Sequence, residues 1–276
     1  MRRAFVLAFG ALFLLQSSLP LLAAERFIVL ASTTSTEQSG LFGQLLPLFQ
    51  AQTGIEVRVV AVGTGQALQL GVRGDADALL VHDRRGEEDL VAKGHALDRR
   101  DVMFNDFIMA GPDDDPAKIA GLKDAKDVVK RIATSKSTFV SRGDDSGTHR
   151  LELRLWKAAS VHAGEIADAW YRDVGTGMGQ ALNIAAAMNA YILSDRATWA
   201  NFKNRQRLIL LADGDPLLFN PYSSLLVNPA KGAHIKSADA KIWHEWLTSA
   251  AGQEAIAAYR INGEQLFFTN PPAKRQ

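Results

Sequence analysis

The chain has 276 residues with 31 basic and 30 acidic side chains, and its formal net charge of +1 excludes the strongly basic balance typical of nucleic-acid-binding proteins. It contains no cysteine, which excludes disulfide bonds, thiolate catalysis and cysteine-ligated metal centres. An apolar core must therefore hold the fold together, and the length suits one or two domains.

The N-terminal segment predicts a secretory signal peptide, residues 1–24. Two arginines follow the first methionine, an apolar run covers Ala4–Leu15, and small residues up to Ala24 offer a cleavage site. A membrane-spanning helix needs about 20 apolar residues, and polar residues followed by Pro20 interrupt this run too early. We therefore predict an exported, periplasmic protein whose leader is cleaved near Ala24.

Strands and helices alternate in the first part of the remaining chain. Short apolar runs predict strands, and apolar residues at helical spacing predict helices. In chain order these are the strand 26–32, the helix 39–54, the strand 55–63, the helix 64–74 and the strand 77–82. Pro47 lies inside the first helical pattern and predicts a kink or a fresh helix start. This alternation is typical of a parallel sheet with helices on its faces.

The middle of the chain is bracketed by two long β runs, 102–112 and 220–229. The elements predicted between and after them are the strand 137–142, the helices 149–159 and 177–190, the strand 207–214 and a helical C-terminal part, 238–263. One interpretation is a second α/β lobe inserted into a first, with the two runs as the crossover strands of a hinge. A single large α/β domain with two ordinary strands gives the same spacing, so both organisations stay open.

A run of hydroxyl residues, Ser32–Thr36, follows the first strand and precedes the first helix. Capping that helix needs only one Ser or Thr, so the run exceeds the structural need. Open α/β sheets bind ligands at the carboxyl ends of their strands, where helix N-termini present unpaired N–H groups and a partial positive charge. The run therefore favours a site for a compact anion.

Two glycine turns repeat this arrangement. "VGTGQAL" (62–68) holds Thr64 between glycines, and "VGTGMGQALN" (174–183) opens an alanine-rich helix without following a clear strand. Neither turn matches the dinucleotide-binding fingerprint or the phosphate-binding P-loop. Together with the hydroxyl run, they predict several helix N-termini that converge on one cleft.

The stretch "SRGDDSGTH" (141–149) is the densest polar motif. Arg142 supplies a fixed charge with a forked donor, and Ser146 and Thr148 add hydroxyls at a predicted helix start. We predict an anion cradle here, in which Asp144 and Asp145 brace the arginine or the loop and do not touch the anion.

Two other kinds of site compete for the same stretch. Ser146 and His149 lie one helical turn apart, so a secreted Ser/His/Asp hydrolase is an alternative, although the G-x-S-x-G nucleophile motif is missing. Asp144, Asp145 and His149 carry metal-ligating atoms, but no second group of ligands lies nearby, and His82 is one of several scattered histidines. We predict neither a resident metal nor a cofactor.

Several motifs together resemble the periplasmic tungstate-binding proteins of bacterial ABC importers, the TupA type. They are "LASTTSTEQSGLFGQLLPLF", "VGTGQAL", "GDADALLVH", "NDFIMAGP", "SRGDDSGTH" and "GTGMGQALNIA", in this order from about Glu25 onward. The resemblance is most specific at the hydroxyl run and at "SRGDDSGTH". Family members usually carry T-T-T-S where this chain has Ser32 followed by Thr33, Thr34 and Ser35.

The resemblance implies an α/β, two-lobed type II periplasmic-binding-protein fold with a hinge of two crossover strands and a tetrahedral oxyanion held between the lobes. We assign 25–108 plus 223–276 to lobe 1 and 109–222 to lobe 2. The residues implied to line the site are Thr33, Thr34, Ser35, Thr64, Arg142, Ser146 and Thr148.

The implied function is capture of tungstate or molybdate, without catalysis, by a monomer that delivers the anion to the membrane permease of an ABC importer. Phosphate is the alternative ligand, because "SRGDDSGT" also resembles the R-S-D-G-S-G-T loop of phosphate-binding proteins. Phosphate keeps a proton at neutral pH and can use an aspartate as acceptor.

Overall fold

The structure is a computed structural model that describes residues 26–161 and 169–269. The predicted signal peptide lies outside the described residues. Within these two ranges, no helix combines the length and the apolar character needed to cross a bilayer.

Strands and helices alternate along most of the described chain. In chain order the elements are β1 (Phe27–Thr33), α1 (Thr34–Gln38), α2 (Phe42–Thr53), β2 (Glu56–Val62), α3 (Thr64–Arg73), β3 (Ala78–Val81), α4 (Arg84–Ala92), β4 (Ala96–Pro112), α5 (Ala125–Ser135), β5 (Phe139–Ser141), α6 (Gly147–Ala158), β6 (Tyr171–Asp173), α7 (Met178–Met188), β7 (Tyr191–Asp195), α8 (Arg196–Asn201), β8 (Leu208–Ala212), β9 (Phe219–Val227), α9 (Ser237–Thr248), α10 (Ala250–Ala258), β10 (Arg260–Ile261) and β11 (Glu264–Gln265).

The main sheet is mixed, in the order β2-β1-β3-β9-β4-β7-β5-β6, with β8 also paired to β4. Strands β1, β2 and β3 are parallel to one another, as are β5, β6 and β7. The parallel pattern predicted for the first strands is confirmed, whereas the two long strands β4 and β9 pair with each other and with β3, β7 and β8 in antiparallel fashion. Strand β4 takes the chain from the first group of strands to the second and β9 returns it, so the two strands run in opposite directions.

Strand β4 connects the two groups of strands. Its 17 residues begin at Ala96 and pair with β9 as far as Asp106, and its end pairs with β7 and β8 from Phe107 to Pro112. The predicted run, 102–112, is therefore the second part of a longer strand. The first residues of this strand are charged, and their pairing is irregular.

Each group of strands has its own apolar core. Phe49 meets Trp243 edge-on at 5.0 Å beside β1 and β3, and Phe139 meets Trp156 edge-on at 5.1 Å beside β5 and β7. Separate cores joined by crossover strands let two lobes move as units. The lobe limits assigned above stay a prediction.

Pro47 lies inside α2, which runs without interruption from Phe42 to Thr53. The predicted fresh helix start is therefore wrong. Pro47, near the middle of the helix, removes one N–H from it, and the buried side chains of Leu45 and Phe49 on either side hold the helix to the core.

A buried carboxyl group lies behind the second lobe's sheet. Glu152 on α6 is 2% exposed, and its Oε1 accepts hydrogen bonds from the Trp156 indole at 3.0 Å and the Tyr171 hydroxyl at 2.7 Å. Burial raises the pKa of Glu152 to about 7, although both hydrogen bonds oppose the rise.

Replacement Glu152→Gln is expected to flatten the pH dependence of stability. The folded wild type holds a proton that the unfolded chain loses near its ordinary pKa, so its free energy of unfolding falls as pH rises from about 4.5 to 7, by ~3 kcal/mol. Glutamine keeps the accepting oxygen and has no proton to lose. Urea unfolding at a series of pH values measures this difference. The exposed Glu254→Gln variant is the control, and parallel profiles for wild type and Glu152→Gln would contradict the assignment.

Candidate anion-binding site

The hydroxyl run lies where β1 passes into α1. Thr33 caps α1, and its Oγ1 accepts the Thr36 N–H at 3.3 Å and lies 3.1 Å from the Ser35 hydroxyl. Ser32 differs from its neighbours, because its hydroxyl donates to the carbonyl of Leu80 in β3 at 2.7 Å. Ser32 therefore ties the sheet together, and the later hydroxyls are left at the strand end.

The start of α3 meets the start of α6. Thr64 Oγ1 accepts the backbone N–H of Gly147 at 2.7 Å, and both residues are buried. A Cβ on Gly147 would lie 2.9 Å from the His82 ring and 3.3 Å from Thr64 Oγ1. Glycine therefore allows a helix start from each lobe to approach the other closely.

Arg142 directly follows β5 and is 2% exposed. Its guanidinium reaches the hydroxyl of Thr34 at 3.3 Å, that of Thr148 at 3.4 Å and the carboxylate of Asp144 at 2.5 Å. Its Nε is buried and has no hydrogen-bond partner among the described residues. Two of the predicted cradle residues, Thr34 and Thr148, therefore contact a buried positive charge whose Nε donor is unpaired among the described residues.

The two aspartates of the motif are already engaged within the protein. Asp144 accepts from Arg142 through Oδ2 and from the Ser146 N–H at 3.2 Å through Oδ1. Asp145 is exposed and accepts two hydrogen bonds from Arg150, at 2.8 and 2.7 Å. Asp144 therefore braces the arginine and Asp145 braces the start of α6, as the sequence predicted.

The third turn reaches the same place. Gly177 caps α7, where an added Cβ would be 3.6 Å from Thr34 Oγ1, and the Gly179 N–H donates to Gln38 Oε1 at 2.8 Å. This turn does follow a strand, the three-residue β6, which the sequence analysis missed because its residues are mostly exposed and polar. The starts of α1, α3, α6 and α7 thus come together, two from each lobe.

Ser146 and His149 do not form a nucleophile and base pair. Ser146 Oγ accepts the backbone N–H of His149 at 3.2 Å and caps α6, whereas the His149 ring accepts the Asp145 N–H at 3.2 Å through Nδ1. The imidazole is therefore engaged with the loop. Across the described ranges, no group of three or more His, Asp or Glu residues has the geometry to hold a metal ion.

His82, one of the histidines scattered through the sequence, lies beside the hydroxyl run in the structure. Its Nε2 is 3.2 Å from Thr33 Oγ1 and 3.3 Å from Ser35 Oγ, and its Nδ1 is 2.9 Å from Asn220 Oδ1. Burial lowers the pKa of His82 to about 4, and the charge of Arg142 acts in the same direction. The feature of the sequence that could have identified His82 was its position directly after β3, the strand next to β1.

Asp195 is a second buried group that the sequence did not single out. It caps α8 by accepting the Thr198 N–H at 2.8 Å, and its Oδ2 has no hydrogen-bond partner in the described part of the chain. Burial raises the pKa of Asp195, while the nearby charge of Arg142 opposes that rise. The electrostatic balance around Arg142 therefore includes a carboxyl group from β7.

Comparison with known proteins identifies relatives of this chain. Residues 22–251 match the PBP superfamily domain. The tungstate-binding protein TupA of Peptoclostridium acidaminophilum is 45% identical over 252 residues, which cover 90% of this chain and 87% of that protein. The structure of the tungstate ABC transporter from Geobacter sulfurreducens is 44% identical, with a TM-score of 0.78 over 86% of this chain and 100% of that chain. The tungstate-binding protein TupA from Desulfovibrio alaskensis G20 is 39% identical, with a TM-score of 0.76 over 90% of this chain and 100% of that chain.

Replacement Gly147→Ala is expected to hold the lobes apart, because the added methyl group meets His82 and Thr64 across the cleft. Small-angle scattering with a saturating tetrahedral oxyanion measures this effect as a radius of gyration larger than that of the wild type. Gly43→Ala on α2 is the matched control, since no atom lies within 4 Å of its added Cβ. Equal radii for the two variants would contradict the close approach.

Proposed function

This chain belongs to the PBP superfamily and, within it, to the TupA-like tungstate-binding proteins, and we propose on that premise that it captures tungstate in the periplasm for an ABC importer. Its fold is the two-lobed type II periplasmic-binding fold, with β4 and β9 as the crossover strands of the hinge. The anion would be bound between the lobes, where the four helix starts converge.

The observation that carries the proposal is the buried guanidinium of Arg142 with its unpaired Nε. Tungstate near neutral pH is a fully deprotonated tetrahedral dianion, so all of its oxygens accept and none donates. A buried acceptor without a donor costs several kcal/mol, roughly 2–7, so such an anion needs a site lined with donors. A buried cation among hydroxyl groups meets that need.

Several hydroxyl groups of the proposed site use their oxygens as acceptors within the protein. Thr33, Thr64 and Ser146 each use the side-chain oxygen to accept a backbone N–H. Accepting a hydrogen bond uses a lone pair and leaves the O–H free to donate. We propose that the anion is lined by these three residues and four others, giving the full set Thr33, Thr34, Ser35, Thr64, Arg142, Ser146 and Thr148.

Contacts between the lobes fit capture by closure. The Thr64 and Gly147 contact joins α3 to α6, the Gln38 and Gly179 contact joins α1 to α7, and Arg150 on α6 pairs with Asp83 beside α4. Binding an anion between these elements would favour the closed arrangement over an open one by hinge motion. We propose that the closed form is the one delivered to the permease.

Phosphate is the less favoured ligand, because neither aspartate of the motif offers a free acceptor. Both oxygens of Asp144 are hydrogen-bonded within the protein, and Asp145 is exposed and paired with Arg150. A protonated phosphate oxygen needs an acceptor that faces it. Molybdate has nearly the same shape and charge as tungstate and belongs to the same proposal.

The proposal includes export, with cleavage of residues 1–24 near Ala24, a monomer in solution, and no catalysed reaction. The separate engagements of Ser146 and His149 favour a binding role over a hydrolase. Two of the relatives named above are tungstate-binding proteins, which favours the same conclusion.

Replacement Arg142→Ala is expected to weaken tungstate binding by at least tenfold. It leaves a dianion facing neutral donors, and charge-assisted hydrogen bonds contribute roughly 1.5–3 kcal/mol each. Arg142→Lys should recover only part of the affinity, because lysine lacks the planar fork. Calorimetric titration measures these affinities, and the exposed Arg172→Ala on β6 controls for the loss of a charge. Wild-type affinity in Arg142→Ala would place the cradle elsewhere.

Competition between oxyanions tests the ligand itself. With tungstate bound at pH 7.5, a large excess of phosphate or sulfate is expected to leave it in place, while molybdate should compete. An aspartate facing the anion at about 4 Å would repel a bare dianion by roughly 4 kcal/mol at an effective dielectric constant of about 20. Displacement by phosphate at concentrations comparable with tungstate would instead support the phosphate-binding alternative.

A further inference from the structure

A chain of buried polar side chains runs from the hydroxyl run to the hinge. His82 contacts Thr33 and Ser35 through Nε2 and Asn220 through Nδ1, as described above. The Asn220 amide is in turn 2.6 Å from the Asn105 amide oxygen. Asn220 on β9 and Asn105 on β4 are register partners of the two crossover strands. This series of hydrogen-bonded side chains therefore joins the proposed anion site to both strands of the hinge.

The packing of His82 fixes its ring. The ring stacks on Tyr222 with a centroid distance of 4.9 Å and an interplanar angle of 28°, and Phe107 lies beside it at 6.3 Å. Burial keeps the pKa of His82 low, so the imidazole is neutral at pH 7 and carries its one proton on either Nδ1 or Nε2. The position of this proton determines the direction of every hydrogen bond in the series of side chains.

The two directions have opposite consequences for an anion. A hydroxyl group has one proton to donate. If Nε2 is unprotonated, Thr33 or Ser35 donates to it, and that proton is turned away from the cleft. If Nε2 carries the proton, it donates to a hydroxyl oxygen, and neither Thr33 nor Ser35 has to spend its proton on the imidazole. Only the second direction suits a ligand that accepts at every oxygen.

The hinge amides also favour the second direction. As oriented in the structure, Asn220 Oδ1 faces His82 Nδ1, which corresponds to the first direction, and this orientation leaves Asn105 Nδ2 buried without a hydrogen-bond partner among the described residues. A half-turn of the amides of Asn105 and Asn220 exchanges oxygen and nitrogen without moving other atoms. Asn105 Nδ2 then donates to Asn220 Oδ1, and Asn220 Nδ2 donates to His82 Nδ1. An unpaired buried amide donor is rarer than an unpaired carbonyl, so this exchange removes the rarer defect.

We propose that His82 is a positioning residue, held in the Nε2-protonated tautomer when tungstate is bound, and that the hydrogen bonds run from Asn105 through Asn220 and His82 to the hydroxyls that hold the anion. This inference rests on the proposed function. It means that the anion fixes the orientation of amides on both crossover strands, which couples occupancy of the site to the hinge.

Nitrogen-15 NMR of the histidine rings tests the tautomer directly. The full chain without its leader is labelled with ¹⁵N-histidine, saturated with tungstate at pH 7.5, and recorded in a long-range ¹H–¹⁵N correlation. The His82 signals are assigned by their loss in His82→Phe, or in His82→Gln should the first variant not fold. We expect Nε2 at a protonated shift and Nδ1 at an unprotonated one. The reverse pattern in the loaded protein would overturn the inference.

Affinity gives a second measurement. His82→Phe keeps a ring on Tyr222 but removes both nitrogens, so tungstate binding should weaken by about tenfold, the effect of one well-placed hydrogen bond. The matched control is His95→Phe. His95 lies outside this series of contacts, so its replacement is expected to leave binding unchanged. Wild-type affinity in His82→Phe would overturn the inference while leaving tungstate capture intact. Failure of the wild type to bind tungstate would overturn both.

Discussion

A buried positive charge is the constraint on which the site depends. Removing the Arg142 guanidinium from water is costly, and the paired carboxylate of Asp144 with the nearby hydroxyls offsets only part of that cost. The loop is shaped to hold the charge in place. Gly143 has a φ of +57°, and a Cβ there would lie 1.5 Å from Asp173 Oδ1. Because this charge is already desolvated and oriented, binding of a compact anion requires less further desolvation and reordering of the guanidinium.

Closure and recognition use the same atoms. Gly147 lets α6 reach α3, and the N–H it gives to Thr64 both joins the lobes and leaves the Thr64 hydroxyl proton free. In the proposed function, hydrogen-bond direction selects against a protonated anion such as phosphate, whereas sulfate, which is also a bare dianion, is distinguished from tungstate by its smaller size. In the proposed arrangement, His82 and Asn220 extend this series of directional hydrogen bonds to β9, so that the hinge takes part in recognition.

The local parts of this arrangement could be predicted from sequence, and the long-range parts could not. Strand ends, glycine turns and the arginine of "SRGDDSGTH" were found because each is encoded within a few residues. The start of β4 at Ala96 was missed because its first residues are charged, and β7 (Tyr191–Asp195) because the predicted helix runs straight into it. His82 was set aside because its partners Thr33 and Asn220 are distant in the chain, and only the order of strands in the sheet brings them together.

Tungsten anomalous scattering from crystals grown with tungstate would locate the bound anion. We expect one strong peak between the lobes, within hydrogen-bond reach of the Arg142 guanidinium and the hydroxyls of Thr34 and Thr148. A competing location is the groove lined by His82 and Gly147, where Arg84, Arg85 and Arg154 lie among the carboxylates of Asp83, Glu88, Asp106 and Asp215. A principal peak in that groove, with none beside Arg142, would contradict the account.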